Sequence, residues 1–202
     1  DIAKIEEIKS NFEKSLGNIN SEEVKTLDVI KAVNKDTNYG ILGLVGGFPE
    51  KIAQVDINQN AKKVLGPLVY FIEGLKKFPE MKMNNLRLKF NNKEQIVTKG
   101  HTLGLLNVKT GACFFNFTNK AKVTDGLGDF ILFESSNIDQ LSSYITSSLN
   151  GSTHKQKNVL YKHVSSVEIN SIPEINYMLD GEMIGKGPLK AKILKQKAKI
   201  LI

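Results

Sequence analysis

From Met81 onward the sequence breaks into short alternating runs separated by turn residues, and this punctuation limits the possible folds more than any other feature. Leu86, Leu88 and Phe90 alternate with Arg87 and Lys89, and Asn91-Asn92 follows as a hairpin signal. Ile96 to Val108 supplies one or two strands, and Asp129 to Phe133 another. Val159 to Ile169, Ile175 to Leu179 and Leu189 to Ile202 continue the series. Upstream, Val24 to Val33 alternates unevenly as a strand, and Lys35-Asp36 reads as a turn. Tyr39 to Val45 is apolar throughout, as a strand buried on both faces would be, and Gly46-Gly47 then permits a sharp bend. Short strands joined by tight turns pack as antiparallel sandwiches or barrels.

Helical periodicity is confined to a few segments. Ile2, Ile5, Ile8, Phe12 and Leu16 recur at spacings of three and four, which predicts a helix over 2–16 stopped by Gly17. Val64, Leu65, Leu68, Val69, Ile72 and Leu75 predict another over 61–78, ended by Pro79. Asn137 to Leu149 reads as a capped helix closed by Asn150-Gly151, and polar residues 152–158 read as a mobile loop. The expected class is therefore α+β and predominantly β. It is an antiparallel β-sandwich or barrel-like domain over 24–202 with a few packed helices. Residues 1–23 are expected to be a helix or linker, the remnant of a domain joint. There is no internal repeat.

Charge and cysteine content narrow the setting. The formal net charge is +7, and Arg87 is the only arginine. Arginine reads bases and phosphates through a bidentate fork, whereas lysine is a hydrated point charge. A lysine-rich surface thus suits diffuse attraction to an anionic membrane better than sequence-specific reading of nucleic acid. Cys113 is the only cysteine, which excludes an intrachain disulfide and fits a reducing cytoplasm. No apolar run reaches the roughly 18 residues needed to span a bilayer, and no basic-then-apolar leader opens the chain. The expectation is a cytoplasmic protein, with any membrane contact peripheral and at the inner face.

Catalytic signatures are sparse. The sequence has no Cys-x-x-Cys pair, no His-Glu-x-x-His, no Walker loop and no Gly-x-Ser-x-Gly elbow, and His101, His154 and His163 are scattered. Two Asp-Gly dipeptides stand out, Thr124-Asp125-Gly126 and Leu179-Asp180-Gly181-Glu182. Both can be plain β-turns, with aspartate capping the backbone and glycine taking positive φ. Both can instead hold a carboxylate rigidly at the end of a strand. On that second reading Asp125 could bind Mg²⁺, Asp180 could be a general base, and Glu182 could position a nucleotide.

Three segments carry a family resemblance. Lys63-Val64-Leu65-Gly66-Pro67-Leu68-Val69-Tyr70-Phe71-Ile72-Glu73-Gly74-Leu75-Lys76 resembles a helix of the soluble bacterial diacylglycerol kinases, relatives of the sphingosine kinases. Ala121-Lys122-Val123-Thr124-Asp125-Gly126-Leu127 looks like that family's alanine…aspartate-glycine turn, and Leu179-Asp180-Gly181-Glu182 looks like its late aspartate-glycine-glutamate motif. The resemblance runs over about 24–202. It implies ATP-dependent phosphorylation of the diacylglycerol hydroxyl to phosphatidic acid, with Asp180 as the base and Gly181 and Glu182 near the nucleotide. It also implies a structural Mg²⁺ held by the Asp125 carboxylate and the backbone carbonyls of Lys122 and Leu127.

The departures from the family pattern are equally specific. The Gly-Gly-Asp-Gly-Thr nucleotide loop, which belongs to an N-terminal α/β domain, is absent. Lys109-Thr110-Gly111-Ala112 replaces a glycine-rich stretch, Asn119-Lys120 replaces a proline and an aspartate, and Thr124 stands where a second aspartate is usual. The chain is thus expected to be either a kinase half that needs its nucleotide-binding partner domain or a non-catalytic lipid-binding module, with negligible ATP turnover alone. Nucleic acid is not an expected partner, because no arginine cluster or aromatic ladder is present. Strand edges permit a homodimer.

Overall fold

The computed structural model describes residues 24–47, 82–111 and 115–201. The first strands are β1 (Val24–Val33), β2 (Thr37–Gly40), β3 (Gly43–Gly47), β4 (Asn84–Phe90), β5 (Glu94–Gly100) and β6 (Thr102–Leu106). A two-residue ladder, β7 (Thr110–Gly111) with β8 (Phe115–Asn116), precedes β9 (Gly128–Phe133). Helix α1 (Ile138–Leu149) and a 3₁₀ turn (Thr153–Lys155) lead into β10 (Val159–Val164) and β11 (Ser166–Ile172). The last three strands are β12 (Asn176–Leu179), β13 (Glu182–Lys186) and β14 (Leu189–Leu201).

The strands form two six-stranded sheets, both antiparallel. One has the order β2-β1-β14-β11-β4-β5, the other β10-β9-β6-β3-β12-β13. The period-two pattern decides which side chains meet between them. In β4 the buried residues are Asn84, Leu86, Leu88 and Phe90, while Asn85 and Arg87 are exposed and Lys89 is half-buried. Ile30, Leu88, Phe90, Val167, Ile169 and Leu189 of the first sheet join Leu44, Leu103, Leu105, Phe130, Leu132 and Tyr177 of the second in one apolar core. Phe90 meets Phe130 edge-to-face with ring centroids 5.0 Å apart, the preferred aromatic geometry. Fully burying such a side chain contributes roughly 1.5–3 kcal/mol.

The second sheet is also covered on part of its other face. Tyr144 of α1 packs edge-to-face on Phe133 at 4.7 Å, in a cluster with Leu106, Ile131 and Val159. This explains why every residue of β9 is buried, including the polar Asp129. Gly151, at φ 71°, ends the helical segment as the Asn150-Gly151 pair predicts.

Most expected strands are present, and the differences have local causes. Tyr39 to Val45 is not one strand. It splits at Ile41-Leu42, because Asp180 takes the N–H groups of Ile41, Leu42 and Gly43 that a ladder would otherwise use. Gly46-Gly47 closes β3: both residues pair with β6, at Leu103 and Thr102, and Gly47 takes φ 85° at the strand's last position. Ile96 to Val108 resolves into two strands, and Val159 to Ile169 divides between two strands at Ser165. Residues 152–158, expected as a mobile loop, hold a 3₁₀ turn in which Thr153 is wholly buried and its hydroxyl accepts from Ser147 Oγ at 3.2 Å. The expected helices over 2–16 and 61–78 lie outside the described residues.

Candidate functional site

Asp180 and Gly181 are the two central residues of the β12–β13 hairpin, since Leu179 pairs with Glu182. Their φ angles are 51° and 94°, as a type I′ turn requires at both positions. The turn is exposed, but the Asp180 side chain reaches across to the β2–β3 connection. The N–H of Ile41 donates to Oδ2 at 2.6 Å; those of Leu42 and Gly43 donate to Oδ1, each at 2.9 Å. The Asp180 N–H in turn donates to the Gly43 carbonyl at 3.0 Å. A carboxylate has about four lone-pair sites, so with the donors among the described residues Oδ2 keeps one for another donor. Gly40 makes this approach possible, for a Cβ there would lie 2.7 Å from Leu179 Cγ and 2.9 Å from Asp180 Cγ. Glu182 is exposed at the start of β13.

The other Asp-Gly turn precedes β9. Asp125 Oδ1 accepts the Leu127 N–H at 2.9 Å, closing an Asx-type turn, and Gly126 has φ 82°. Asp125 Oδ2 lies 3.5 Å from His163 Nε2. The turn borders two adjoining clefts of about 690 and 330 Å³ that share Lys109, Ala121 and Lys122. Leu42 and Thr124 line the larger, and Asn119, Lys120, Asp125 and His163 line the smaller.

A buried network joins these two turns. Asn107 is fully buried; its Nδ2 donates to the Ile41 carbonyl at 2.8 Å and to the Asp28 carbonyl at 3.0 Å, and its N–H donates to the Leu42 carbonyl at 3.0 Å. Asp28 is also fully buried. Its Oδ2 accepts the Gly126 N–H at 2.6 Å, its Oδ1 accepts the Gln196 N–H at 2.7 Å, and its own N–H donates to the Val123 carbonyl at 2.7 Å. The β1–β14 register shifts between Leu27 and Val29, and Gln196 opposite takes φ 51°, which turns its N–H to the carboxylate. Asp180 and Asp125 are therefore not in contact but anchor the two ends of one hydrogen-bonded path through Ile41, Asn107 and Asp28.

The sequence reading passed over Asp28, Asn107, Asp129 and the pairing of His163. Asp28 carried a usable signal, because it shares strand parity with the buried Ile30 and Ala32. Asp129 lies directly across the ladder from His163, and its Oδ1 accepts from the Tyr161 hydroxyl. Burial raises the Asp129 pKa above the ordinary carboxylate range, opposed by the Tyr161 hydrogen bond and by His163. Burial, and then the bond to Asp129, pushes Tyr161 upward.

Mg²⁺ takes oxygen ligands, keeps several waters and can be held through a single carboxylate. Among the described residues no group of three or more His, Cys, Asp and Glu side chains converges. The acid near the Ala121–Leu127 segment that fits such an ion is Asp125, which lines the smaller cleft and whose Oδ2 accepts no backbone N–H from the described residues. A metal there would use that oxygen with backbone carbonyls and water. No helix among the described residues is long and apolar enough to cross a membrane.

Comparison with known proteins gives concordant results. The model of a family described as the YegS C-terminal NAD kinase beta sandwich-like domain matches residues 50–202. A protein of Staphylococcus haemolyticus named diacylglycerol kinase is 29% identical over 168 residues, covering 81% of this chain and 49% of the relative. A Staphylococcus aureus protein of the same name is 28% identical over 160 residues, covering 77% and 49%. The chain thus spans about half the length of the curated relatives it matches. Among solved structures, a Bacillus anthracis protein provisionally named a diacylglycerol kinase superposes with a TM-score of 0.71 at 19% identity, covering 91% of this chain and 59% of that one. At that identity the likeness establishes the fold.

Proposed function

Because the chain belongs to the YegS C-terminal NAD kinase beta sandwich-like domain family, we propose that it is the lipid-binding half of an ATP-dependent lipid kinase that phosphorylates the diacylglycerol hydroxyl to phosphatidic acid. The observation that carries this reading is the anchored Asp180 carboxylate. It sits in an exposed turn, held by three backbone N–H groups, with one lone pair of Oδ2 left over by the described residues. A base held this way needs no reorganisation when an acceptor hydroxyl arrives. The names of the staphylococcal relatives support the substrate class.

In the proposed reaction Asp180 accepts the proton of the lipid hydroxyl as the hydroxyl oxygen bonds to the terminal phosphorus of ATP, the bond from that phosphorus to its bridging oxygen breaks, and ADP leaves. Gly181 and Glu182, on the same hairpin, lie towards the nucleotide, and a separate nucleotide-binding domain contributes most of the ATP site. Mg²⁺ held by Asp125 and the carbonyls of Lys122 and Leu127 would supply a fixed positive charge that braces the turn. Asp28 and Asn107 tie that turn to the Ile41–Gly43 donors, so the two Asp-Gly turns keep a constant relation.

The test is transfer of radiolabelled phosphate from ATP to diacylglycerol in mixed micelles, with this chain alone and joined to the N-terminal domain of a related kinase. Activity is expected only in the joined protein, and Asp180→Asn lowers it by about 10²–10⁴-fold. Full activity in that variant refutes the base assignment, and silence in a folded joined protein refutes the kinase reading. A second reading, a non-catalytic lipid-binding module of the same fold, is favoured by the structural work Asp180 already does on the β2–β3 connection. It predicts vesicle binding with no turnover in either protein.

A further inference from the structure

We infer that the outward face of the six-stranded sheet containing β14 docks on an anionic lipid bilayer. The strand registers put one set of side chains on that face. Lys31 lies opposite Lys192, and Lys190 opposite Glu168. Glu168 also lies opposite Lys89, Arg87 opposite Asn170, and Lys99 opposite Asn85. Among the described strand residues of this face Glu168 is the single acid, and its partner Lys190, 3.3 Å away, remains 71% exposed. The sheet is therefore a broad positive surface whose inward side chains are committed to the core.

Three features favour a membrane over other anionic partners. The cations are lysines apart from Arg87, so they offer diffuse charge and little bidentate recognition. Exposed apolar groups lie among them: Val97 at 74%, Ile172 at 75% and Tyr39 at 61%, with Lys31 Nζ 5.9 Å from the Tyr39 ring centre. Lysines around isolated apolar and tyrosine side chains match the charged headgroups and the shallow apolar layer of a bilayer interface. The face also borders the candidate site. Tyr39 lies in β2, two residues before Ile41, whose N–H is bound by Asp180, and Leu42 beside it is 54% exposed. Docking on this face would bring the β2 edge, and with it the Asp180 hairpin, to the surface where a lipid hydroxyl is found. The inference deepens the lipid-kinase reading, but its test uses no ATP and reads binding alone.

The experiment is co-sedimentation of the full chain with phosphatidylcholine vesicles with and without phosphatidylglycerol, across a salt series. The chain should bind only the phosphatidylglycerol vesicles and release as salt rises. Each lysine neutralised near an anionic surface should cost about fivefold in partition. Arg87→Gln/Lys89→Gln/Lys192→Gln should therefore lose roughly a hundredfold. Lys155→Gln/Lys157→Gln/Lys186→Gln removes the same charge away from the face and should lose far less. Equal losses in both triple variants, or no vesicle binding at low salt, would overturn the proposal. So would binding to single-stranded nucleic acid, without vesicle binding, that depends on the same three residues. A readout that removes no charge uses nitroxide labels in a Cys113→Ser background. A label at Val97→Cys should become shielded from aqueous relaxation agents on vesicles, while one at Met183→Cys, on the opposite sheet, should not. The reverse pattern would also overturn the assignment.

Discussion

Asp28→Asn is the sharpest test of how the two Asp-Gly turns are held together. The Asp28 carboxylate is fully buried and accepts two short backbone hydrogen bonds, from Gly126 at 2.6 Å and Gln196 at 2.7 Å. An asparagine side chain has the same shape but only one acceptor oxygen. In either orientation its NH₂ faces one of those N–H groups, donor against donor. One charge-assisted bond worth about 1.5–3 kcal/mol is lost, the other weakens to a neutral bond, and a buried N–H is left without an acceptor. Relief from burying a charge works in the opposite direction, but breaking a buried ionic arrangement on one side generally dominates. The net expectation is a loss of about 2–4 kcal/mol. At about 2–4 °C per kcal/mol for a protein of this size, the thermal midpoint should fall by roughly 4–16 °C. Circular dichroism melting measures this fall, and amide hydrogen exchange should show lost protection at Gly126 or Gln196. A midpoint within about 2 °C of wild type, with both amides still protected, would refute the claim that this carboxylate clamps the turn.

The other predictions concern neighbouring parts of the same frame. Gly40→Ala should destabilise more than Gly181→Ala. The first puts a methyl group against Leu179 and Asp180, whereas the second meets nothing within 4 Å and adds only the strain of φ 94°, about 1–2 kcal/mol; chemical denaturation of both variants orders them. Phe90→Ala should cost about 3–5 kcal/mol in urea unfolding, because Phe90 is buried between the sheets against Phe130. Burial holds His101 below the ordinary imidazole range, with the Ser135 carbonyl pulling the other way. A depressed folded-state pKa gives stability that is full above the unfolded value of 6.5 and is lost as pH falls through the lower folded value. The melting midpoint should therefore drop from neutral to mildly acidic pH, and His101→Gln should flatten that drop. An unchanged slope would remove His101 as its source, leaving His154, which burial shifts in the same direction.

Local sequence determined the strands and their turns. Alternation in Leu86, Leu88 and Phe90 marks a one-sided strand because successive side chains point to opposite faces, and the sheet buries those three residues. Asn91-Asn92 and Asp180-Gly181 adopt the positive φ angles that their residue types allow at low cost. The Asp-Gly pairs were likewise legible as turns, since capping and handedness depend on neighbours one or two residues away. Tertiary structure alone decided what the turn carboxylates touch. Asp180 meets Ile41, Leu42 and Gly43 across 137 to 139 positions of chain, and Asp28 meets Gln196 across 168. Those contacts split the apolar run from Tyr39 to Val45, because the N–H groups that a continuous strand would have offered to a ladder went to a distant carboxylate. The basic face has the same origin. Its lysines are scattered along β1, β4, β5 and β14, and only strand order and register bring them onto one surface. Periodicity is a property of adjacent residues, whereas partnership depends on how the sheets close, and no short-range pattern encodes that.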